Sequence, residues 1–210
     1  MSAPLPEQLP DDPLPLVERW LAEASAVNRS AGTMALATVD PDGRPSARMV
    51  ICRGFDSRAG WAVFYSDVPS RKGVALAAHP RAALVFHWEG LQRQIRIEGP
   101  VTRAPDAETD AYWRARPVDA RIAAIASDQS HPIESRAALL AKVNAVTARL
   151  AGAEPPRPDR FVGYRVWAER VELWVSQPAR VHDRAEWIRS LSPDTAGFIG
   201  SPWRSTRLQP

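Results

Sequence analysis

Hydrophobic residues recur at helical spacing near the start of the chain and alternate with polar residues along much of the rest. After Asp12 and Pro13, apolar residues at 16, 17, 20, 21 and 24 predict a helix with one buried face. Alternating runs bounded by turns predict strands at 34–38, 45–55, 61–66, 81–88, 92–102, 161–167, 170–176, 179–188 and 203–208. Further helices are predicted at 70–79, 105–115, 118–127 and 134–151.

The order of these elements indicates the fold class, because strand-rich halves flank a helical insert. The turn Asp40–Gly43 joins the first two strands into a hairpin. Twenty prolines argue against an all-helical bundle. We therefore predict an α+β protein, an antiparallel barrel with helices packed outside it. Residues 1–11 are expected to form a mobile leader, and residues 12–210 a single domain.

Charge and composition limit the classes of partner that we expect for this protein. The formal net charge is only +3, and the basic residues are spread along the chain, so no nucleic-acid partner is expected. The lone Cys52 cannot form an internal disulfide, and no 18-residue apolar span or signal-like segment occurs. These features predict a cytoplasmic protein without a membrane partner.

The stretch from Phe64 to Lys72 is the strongest candidate for a ligand-binding site. Two hydroxyls, a guanidinium and an ammonium come together at Ser66, Ser70, Arg71 and Lys72, beside a predicted helix start. Such a group suits a phosphate. Lys72 is notable because the chain has only one other lysine, Lys142.

Further polar side chains interrupt apolar strands. Arg48 and Arg53 are predicted on opposite faces of the strand 45–55, and a basic residue there indicates an anionic partner. Arg180, His182 and Arg184 are predicted on one face of the strand 179–188, where they suit an anion or a ring. Amides at Gln94 and Gln129, the hydroxyl of Ser130 and the indole of Trp174 complete the set. Together they favour binding of a phosphorylated planar heterocycle.

In order and spacing, these motifs resemble those of the pyridoxine (pyridoxamine) 5′-phosphate oxidases from about Asp12 to Pro210. The anchors are Glu18-Arg19-Trp20-Leu21, Ala37-Thr38-Val39-Asp40, Gly43-Arg44-Pro45, Arg48-Met49-Val50-Ile51-Cys52, Val63-Phe64-Tyr65-Ser66, Ser70-Arg71-Lys72, Arg93-Gln94, Tyr112, Arg116-Pro117, Ser127-Asp128-Gln129-Ser130, Val171-Glu172-Leu173-Trp174, Arg180-Val181-His182-Asp183-Arg184 and Arg207-Leu208-Gln209-Pro210. The resemblance implies an antiparallel Greek-key FMN-binding split β-barrel with peripheral helices, assembled as a homodimer with shared FMN sites.

The resemblance also implies residue roles. It assigns FMN binding to Arg48, Met49, Val50, Ile51, Cys52, Arg53, Tyr65, Ser66, Ser70, Arg71, Lys72, Gln94, Gln129, Ser130, Trp174 and Arg184, partly from the second subunit. Substrate binding falls to Arg53, Tyr112, Arg116, Ala120, Arg180 and His182, of which Arg180 and His182 are the catalytic candidates over the substrate ring. Hydride would pass from substrate C4′ to flavin N5, and O2 would reoxidise the flavin and give H2O2.

Three departures from the family pattern fall on the substrate side. Arg53 stands where a lysine is usual, Ala120 where a serine is often found, and Glu7-Gln8-Leu9-Pro10 replaces a basic Arg-Arg-x-Tyr segment. The last departure resembles the phenazine-biosynthesis flavin oxidases, which act on unphosphorylated tricyclic acids, whereas Tyr112 and Arg116 favour a phosphorylated substrate. A non-catalytic split-barrel protein that holds a flavin or haem is a further alternative, although no metal-ligand spacing occurs.

Overall fold

The computed structural model describes residues 3–195 and 197–210. Its helices are α1 (Leu14–Val27), α2 (Arg71–Ala78), α3 (Asp106–Ala115), α4 (Val118–Ala126) and α5 (Arg136–Leu150). Its strands are β1 (Thr33–Val39), β2 (Pro45–Ile51), β3 (Gly54–Asp56), β4 (Trp61–Asp67), β5 (Arg81–Trp88), β6 (Arg93–Arg103), β7 (Phe161–Trp167), β8 (Arg170–Val175), β9 (Asp183–Ile188), β10 (Leu191–Asp194), β11 (Gly197–Gly200) and β12 (Arg204–Leu208). Short 3-10 turns cover Glu89–Leu91 and Pro178–Arg180.

The main sheet is antiparallel and curls into a barrel that is open on one side. Its principal path runs β12-β9-β8-β6-β5-β1-β2, while β3 pairs with β4, β4 with β7, and β7 with β6. The long strand β6 therefore belongs to both walls, and β2 forms a free edge. Within the described residues no ladder joins β2 to β4, and this gap is the split in the barrel. The predicted split-barrel class is confirmed.

Local signals explain the β1–β2 hairpin and the first helix. In the turn, Gly43 adopts a positive φ of 84° and its N–H donates to Asp40 O at 2.8 Å. Helix α1 begins after Pro13 and buries one apolar stripe, which includes Val17 and Trp20. The stripe packs into the principal core, formed by the inward residues of the strands. Both elements lie where the sequence predicts them.

The predicted strand 45–55 is wrong in being continuous: it is broken at residues 52 and 53 into β2 and β3. Strand β2 ends at Ile51, because Cys52 N donates to Gly32 O while Arg53 N donates to Val63 O, each at 2.8 Å. The chain thus leaves β1 and joins β4 within these residues. Arg53 lies outside a strand, and its predicted alternation with Arg48 does not hold.

The predicted strand 179–188 is wrong in its first half. Ala179 and Arg180 have positive φ values of 55° and 61° in the turn after Pro178, and β9 begins only at Asp183. Arg180, His182 and Arg184 therefore do not share one strand face. The β10–β11 hairpin has no counterpart in the predicted elements; it places Phe198 edge-on to Trp167, with ring centroids 5.6 Å apart.

The segment for which the sequence predicts a mobile leader lies against β9 and β12 over residues 5–10. Leu5 is buried, and its N–H donates to Asp183 Oδ2 at 2.7 Å. Trp187 Nε1 donates to Pro10 O at 2.8 Å, and Arg207 donates to the carbonyls of Pro6 and Glu7. These contacts connect the start of the described chain to its last strand.

Candidate functional site

A cleft of about 480 Å³ opens where the barrel is split. Strands β2 and β4 form its walls, and α3, α4 and the loop after α4 close it. Its lining comprises Met49, Val50, Ile51, Arg53, Tyr65, Ser66, Asp67, Lys72, Tyr112, Arg116, Ala120, Ala123, Ala124, Ser127, Gln129 and Phe161. Eleven of the predicted site residues therefore meet here: Met49, Val50, Ile51, Arg53, Tyr65, Ser66, Lys72, Gln129, Tyr112, Arg116 and Ala120.

Lys72 occupies one end of the cleft and is only 8% exposed. Its Nζ donates to Ser66 Oγ at 3.1 Å, Ser70 Oγ at 3.4 Å and Gln129 Oε1 at 2.9 Å. All three acceptors are neutral. Burial, followed by repulsion from Arg48, lowers the pKa of Lys72. A buried ammonium whose acceptors are all neutral is suited to an anionic ligand.

Ser70 fixes Lys72 in place by starting helix α2. It is fully buried as the N-cap, accepts from Gly73 N at 3.3 Å and donates to Asp67 O at 2.6 Å. A Cβ on Gly73 would lie 2.2 Å from Val68 O, so only glycine lets the helix approach this turn. The predicted Ser70 thus supports the cleft from behind rather than lining it.

Arg48 lies beside this end of the cleft and donates to neutral oxygens. Its guanidinium contacts Leu36 O at 3.2 Å, Thr38 Oγ1 at 2.7 Å and Ser46 Oγ at 2.8 Å. Burial, followed by repulsion from Arg71, lowers the pKa of Arg48. Arg48, Arg71 and Lys72 therefore form a cluster of like charges.

Arg71 differs from the other two cations because it pairs with a carboxylate. Its Nη2 lies 2.5 Å from Asp40 Oδ2 and its Nε 3.1 Å from the same oxygen. The pair holds the pKa of Asp40 below its ordinary value, and the Arg71 side chain is 62% exposed. Arg71 and Ser130 line a neighbouring hollow rather than the cleft.

Aromatic rings and two guanidiniums form the other end of the cleft. Tyr65 and Tyr112 stack with centroids 3.8 Å apart and an interplanar angle of 10°. Arg53 and Arg116 place Cζ 5.7 and 5.9 Å from the centre of the Tyr112 ring. Burial lowers the pKa of Arg116, which donates to Ala120 O at 3.0 Å. Arg116 follows α3 rather than lying in it, yet it remains beside Tyr112.

Gly163 on β7 makes room for this aromatic stack. It pairs with Tyr65 across the β4–β7 ladder, and a Cβ there would lie 2.9 Å from Tyr65 Cε1 and 2.7 Å from Ala104 Cβ. The Tyr65 hydroxyl donates to Glu108 Oε1 at 3.3 Å, and burial followed by Glu108 raises the pKa of Tyr65. The ring is thus held from the strand side and from α3.

A second group of predicted residues lies on β6, β8, β9 and the turn before β9. Gln94 pairs with Trp174, and Trp174 with Arg184, so the three lie side by side across neighbouring strands. The His182 ring lies 4.8 Å from Trp174 between ring centres, and Arg184 contacts Glu172 at 2.8 Å. Gln94, Trp174, Arg180, His182 and Arg184 do not line the cleft of their own chain.

Five cleft residues are absent from the predicted site: Asp67, Ala123, Ala124, Ser127 and Phe161. Asp67 directly follows Tyr65 and Ser66, and Ser127 precedes Gln129 by two positions, so proximity in sequence is a usable signal for both. The alanines and Phe161 carry no such signal, because small and aromatic residues are common in any core. Cys52, predicted beside FMN, directly follows β2, is half-buried against the core and does not line the cleft; burial raises the pKa of its thiol.

The arrangement suits an organic anion with a flat ring better than a metal ion. Its lining combines the cations Arg53, Lys72 and Arg116 with the aromatic rings of Tyr65, Tyr112 and Phe161 and with aliphatic side chains. Among the described residues, no group of three or more His, Cys, Asp or Glu side chains could hold a metal ion. No helix in the described ranges is long and apolar enough to cross a membrane.

Two family models match the chain. The model described as pyridoxamine 5′-phosphate oxidase matches residues 21–150, and the model described as the pyridoxine 5′-phosphate oxidase C-terminal dimerisation region matches residues 161–210. The first contains most of the cleft. The second contains β8 and β9, with Trp174, His182 and Arg184.

Curated relatives match over nearly the whole chain. A pyridoxine/pyridoxamine 5′-phosphate oxidase of Rhodopseudomonas palustris is 47% identical over 201 residues, which is 95% of this chain and 91% of the relative. The protein of the same name from Nitrobacter winogradskyi is 46% identical over 200 residues, covering 95% of this chain and 90% of the relative.

Two solved structures resemble the chain over their length. PhzG from Burkholderia lata, in complex with tetrahydrophenazine-1-carboxylic acid, superposes with a TM-score of 0.84 at 34% identity, covering 96% of this chain and 94% of PhzG. A pyridoxamine 5′-phosphate oxidase-related FMN-binding protein from Nostoc punctiforme gives a TM-score of 0.71 at 20% identity, covering 94% and 97%. The second likeness shows the fold alone.

Proposed function

Because the chain belongs to the pyridoxine/pyridoxamine 5′-phosphate oxidase family, we propose that it is an FMN-dependent oxidase. Its substrates are pyridoxine and pyridoxamine 5′-phosphate, which it converts to pyridoxal 5′-phosphate. O2 is the electron acceptor and H2O2 the reduced product; the amine also consumes water and releases ammonia.

The buried, cationic end of the cleft is the observation that carries this proposal. Lys72 and Arg48 have neutral acceptors in the described residues, and both have a lowered pKa from burial and from neighbouring cations. The nearby carboxylates Asp40 and Asp67 are paired with Arg71 and Arg160, so a phosphate there adds a negative charge for Arg48 and Lys72. The family membership implies a flavin, and this cluster fits the phosphate of FMN, with Ser66 and Gln129 as further polar neighbours.

The opposite end of the cleft fits a second phosphate, that of the substrate. Arg53 and Arg116 flank Tyr112, so two guanidiniums and a phenol converge within the lining. Ala120 contributes a carbonyl that accepts from Arg116, rather than a hydroxyl for the substrate. A phosphate in this position anchors the pyridine ring between the two cationic ends.

The protein groups bind and orient, and the cofactor does the redox work. When bound, a flavin accepts a hydride equivalent from the substrate and delivers electrons to O2. Lys72 and Arg48 neutralise the cofactor phosphate, while Arg53, Tyr112 and Arg116 hold the substrate. The Tyr65–Tyr112 stack and Phe161 supply an aromatic surface of the cleft beside the substrate.

A homodimer completes the site in this proposal. Gln94, Trp174, Arg180, His182 and Arg184 lie away from the cleft of their own chain, within or close to the region that matches the dimerisation model. A second copy can bring this group to the cleft, where His182 and Arg180 would cover the substrate ring. Arg180 is suited to such a role because its turn conformation leaves it outside the sheet.

We also propose a reducing, cytoplasmic location. The single cysteine, Cys52, is free, and burial raises the pKa of its thiol. The chain therefore has no need of an oxidising compartment.

The test is oxygen consumption by the FMN-loaded protein. We expect turnover with pyridoxine and pyridoxamine 5′-phosphate, H2O2 formation and the absorbance of pyridoxal 5′-phosphate. The PhzG likeness supplies the competing substrate, a reduced tricyclic carboxylic acid, to be measured in parallel. Turnover of the tricyclic acid, with none of the B6 phosphates, would refute the proposed substrate.

A further inference from the structure

Arg160, which precedes β7 by one residue, contacts the end of β4, the end of α4 and the loop that follows α4. Its Nε lies 3.1 Å from Asp67 Oδ2, at the end of β4. Its Nη2 donates to three carbonyls at the end of α4: Ala124 at 2.9 Å, Ile125 at 2.9 Å and Ser127 at 3.2 Å. A guanidinium in this place caps the negative end of the helix and fixes the loop that follows. That loop carries Gln129.

The ion pair between Arg160 and Asp67 affects the cleft because Asp67 is one of the residues that line it. Asp67 is 5% exposed and lines the cleft together with Lys72. Burial raises the pKa of Asp67, while Arg160 and Lys72 both lower it. A buried carboxylate requires a cation, and Lys72 and Arg116 are the two cleft cations that also act on Asp67, so either would be drawn to it without Arg160.

We propose that Arg160 is a positioning residue for the anion-binding end of the cleft. By pairing with Asp67 it keeps Lys72 available for a ligand phosphate. By capping α4 it holds Gln129 against Lys72 and Ser66, at 2.9 and 2.6 Å. Arg160 is not among the residues that line the cleft, so it acts through its neighbours. This inference rests on the proposed function only in taking FMN as the anion.

Substitutions of Arg160 and Asp67 distinguish the effect of the Arg160 charge from the effect of its hydrogen bonds to α4. Arg160→Gln removes the charge and keeps a polar side chain that can donate to α4, and Arg160→Lys keeps the charge beside Asp67. Asp67→Asn combined with Arg160→Gln removes the competing carboxylate. The matched control is Arg189→Gln, because Arg189 is also partly buried and donates to a backbone carbonyl, Ala168 O at 2.8 Å, but does not line the cleft.

The measurement is the FMN affinity of each variant, obtained from the quenching of flavin fluorescence. We expect Arg160→Gln to weaken FMN binding about tenfold, since Asp67 then competes for Lys72. Arg160→Lys should lie near the wild type, and the double variant should bind more tightly than Arg160→Gln. Arg189→Gln should lower the melting temperature without changing FMN affinity.

Three results would overturn the role of Arg160. The first is Arg160→Gln binding FMN as tightly as the wild type, and the second is a double variant that binds no better than Arg160→Gln. Both differ from failure of the proposed function, in which the wild-type protein itself retains no FMN. A purely structural role predicts that FMN affinity follows melting temperature across all the variants, the control included, and this pattern too would overturn the inference.

Discussion

Lys72 Nζ lies 2.9 Å from Gln129 Oε1, although 57 positions separate the two residues in the chain. Ser66 Oγ donates to the same amide oxygen at 2.6 Å. The loop after α4 is thereby joined to β4 and to the start of α2, and the ammonium ends in a ring of neutral oxygens.

We expect Lys72→Met to weaken FMN binding about ten- to a hundredfold, because one charge-assisted contact to phosphate is lost. Lys142 provides the matched control, since it is the only other lysine and its ammonium pairs with Asp128 at 2.7 Å on the surface. Lys142→Met should bind FMN normally. Equal losses in the two variants, measured by fluorescence titration, would contradict the assignment.

The stability of the flavin-free protein should depend on pH through Lys72. Its folded pKa is lowered from 10.5, so in the window between the lowered value and 10.5 the unfolded chain holds a proton that the folded protein has released. The free energy of unfolding of the wild type, relative to Lys72→Met, should therefore rise with pH through this window. Urea unfolding at several alkaline pH values measures the difference, and identical slopes for both proteins would rule out this contribution.

Arg116→Ala should raise the KM for pyridoxine 5′-phosphate about ten- to a hundredfold, while FMN affinity stays unchanged, because in the proposed function this guanidinium binds the substrate phosphate. Arg114→Ala is the control, since Arg114 is an exposed residue at the end of α3. Steady-state kinetics with FMN-saturated enzyme gives the comparison. A KM equal to that of the wild type would exclude Arg116 from the phosphate site.

Subunit mixing tests whether the second group completes the cleft of another copy. Lys72→Met and Arg184→Ala should each lower activity when assembled alone. After the two variants are unfolded together and refolded as a mixture, mixed dimers contain one cleft with neither substitution, so about a quarter of all sites should regain wild-type FMN affinity. If the mixture is no more active than its components, the two groups act within one chain.

Gly163→Ala should destabilise the fold by roughly 1–3 kcal/mol and displace Tyr65, because the new methyl group would overlap that ring and Ala104. Gly90→Ala is the control, since a Cβ there meets nothing within 4 Å. Urea unfolding compares their stabilities. The KM for the substrate should rise only in Gly163→Ala, because Tyr112 stacks on the displaced ring.

Much of the fold follows from local signals in the sequence. The Asp40–Gly43 turn, the Ser70 cap and the apolar stripe of α1 each specify an element without reference to the rest of the chain. The two strand errors arise where backbone conformation overrides alternation: at Cys52 and Arg53 the chain changes sheets, and at Ala179 and Arg180 it adopts positive φ. Neither event changes the hydrophobic pattern.

The sequence motifs identify residues that line the cleft but not how they are arranged. Lys72, Tyr112 and Arg116, for example, belong to separate motifs, and the fold places them in one cleft. Arg160 carried no motif, because its role depends on three carbonyls and a carboxylate that meet it only in the folded chain. The separation of Trp174 and Arg184 from the cleft likewise depends on strand order.

The free edge of β2 has a consequence for how this cleft is studied. Cys52 N donates to Gly32 O at 2.8 Å, so by antiparallel alternation the amides and carbonyls of Met49 and Ile51 point away from β1. Both residues line the cleft, where their backbone groups can bond a ligand whatever side chain they carry. Alanine substitutions therefore cannot detect a contribution of these backbone groups to ligand binding. Replacing the amide of residue 49 or 51 by an ester is the change that would reveal it.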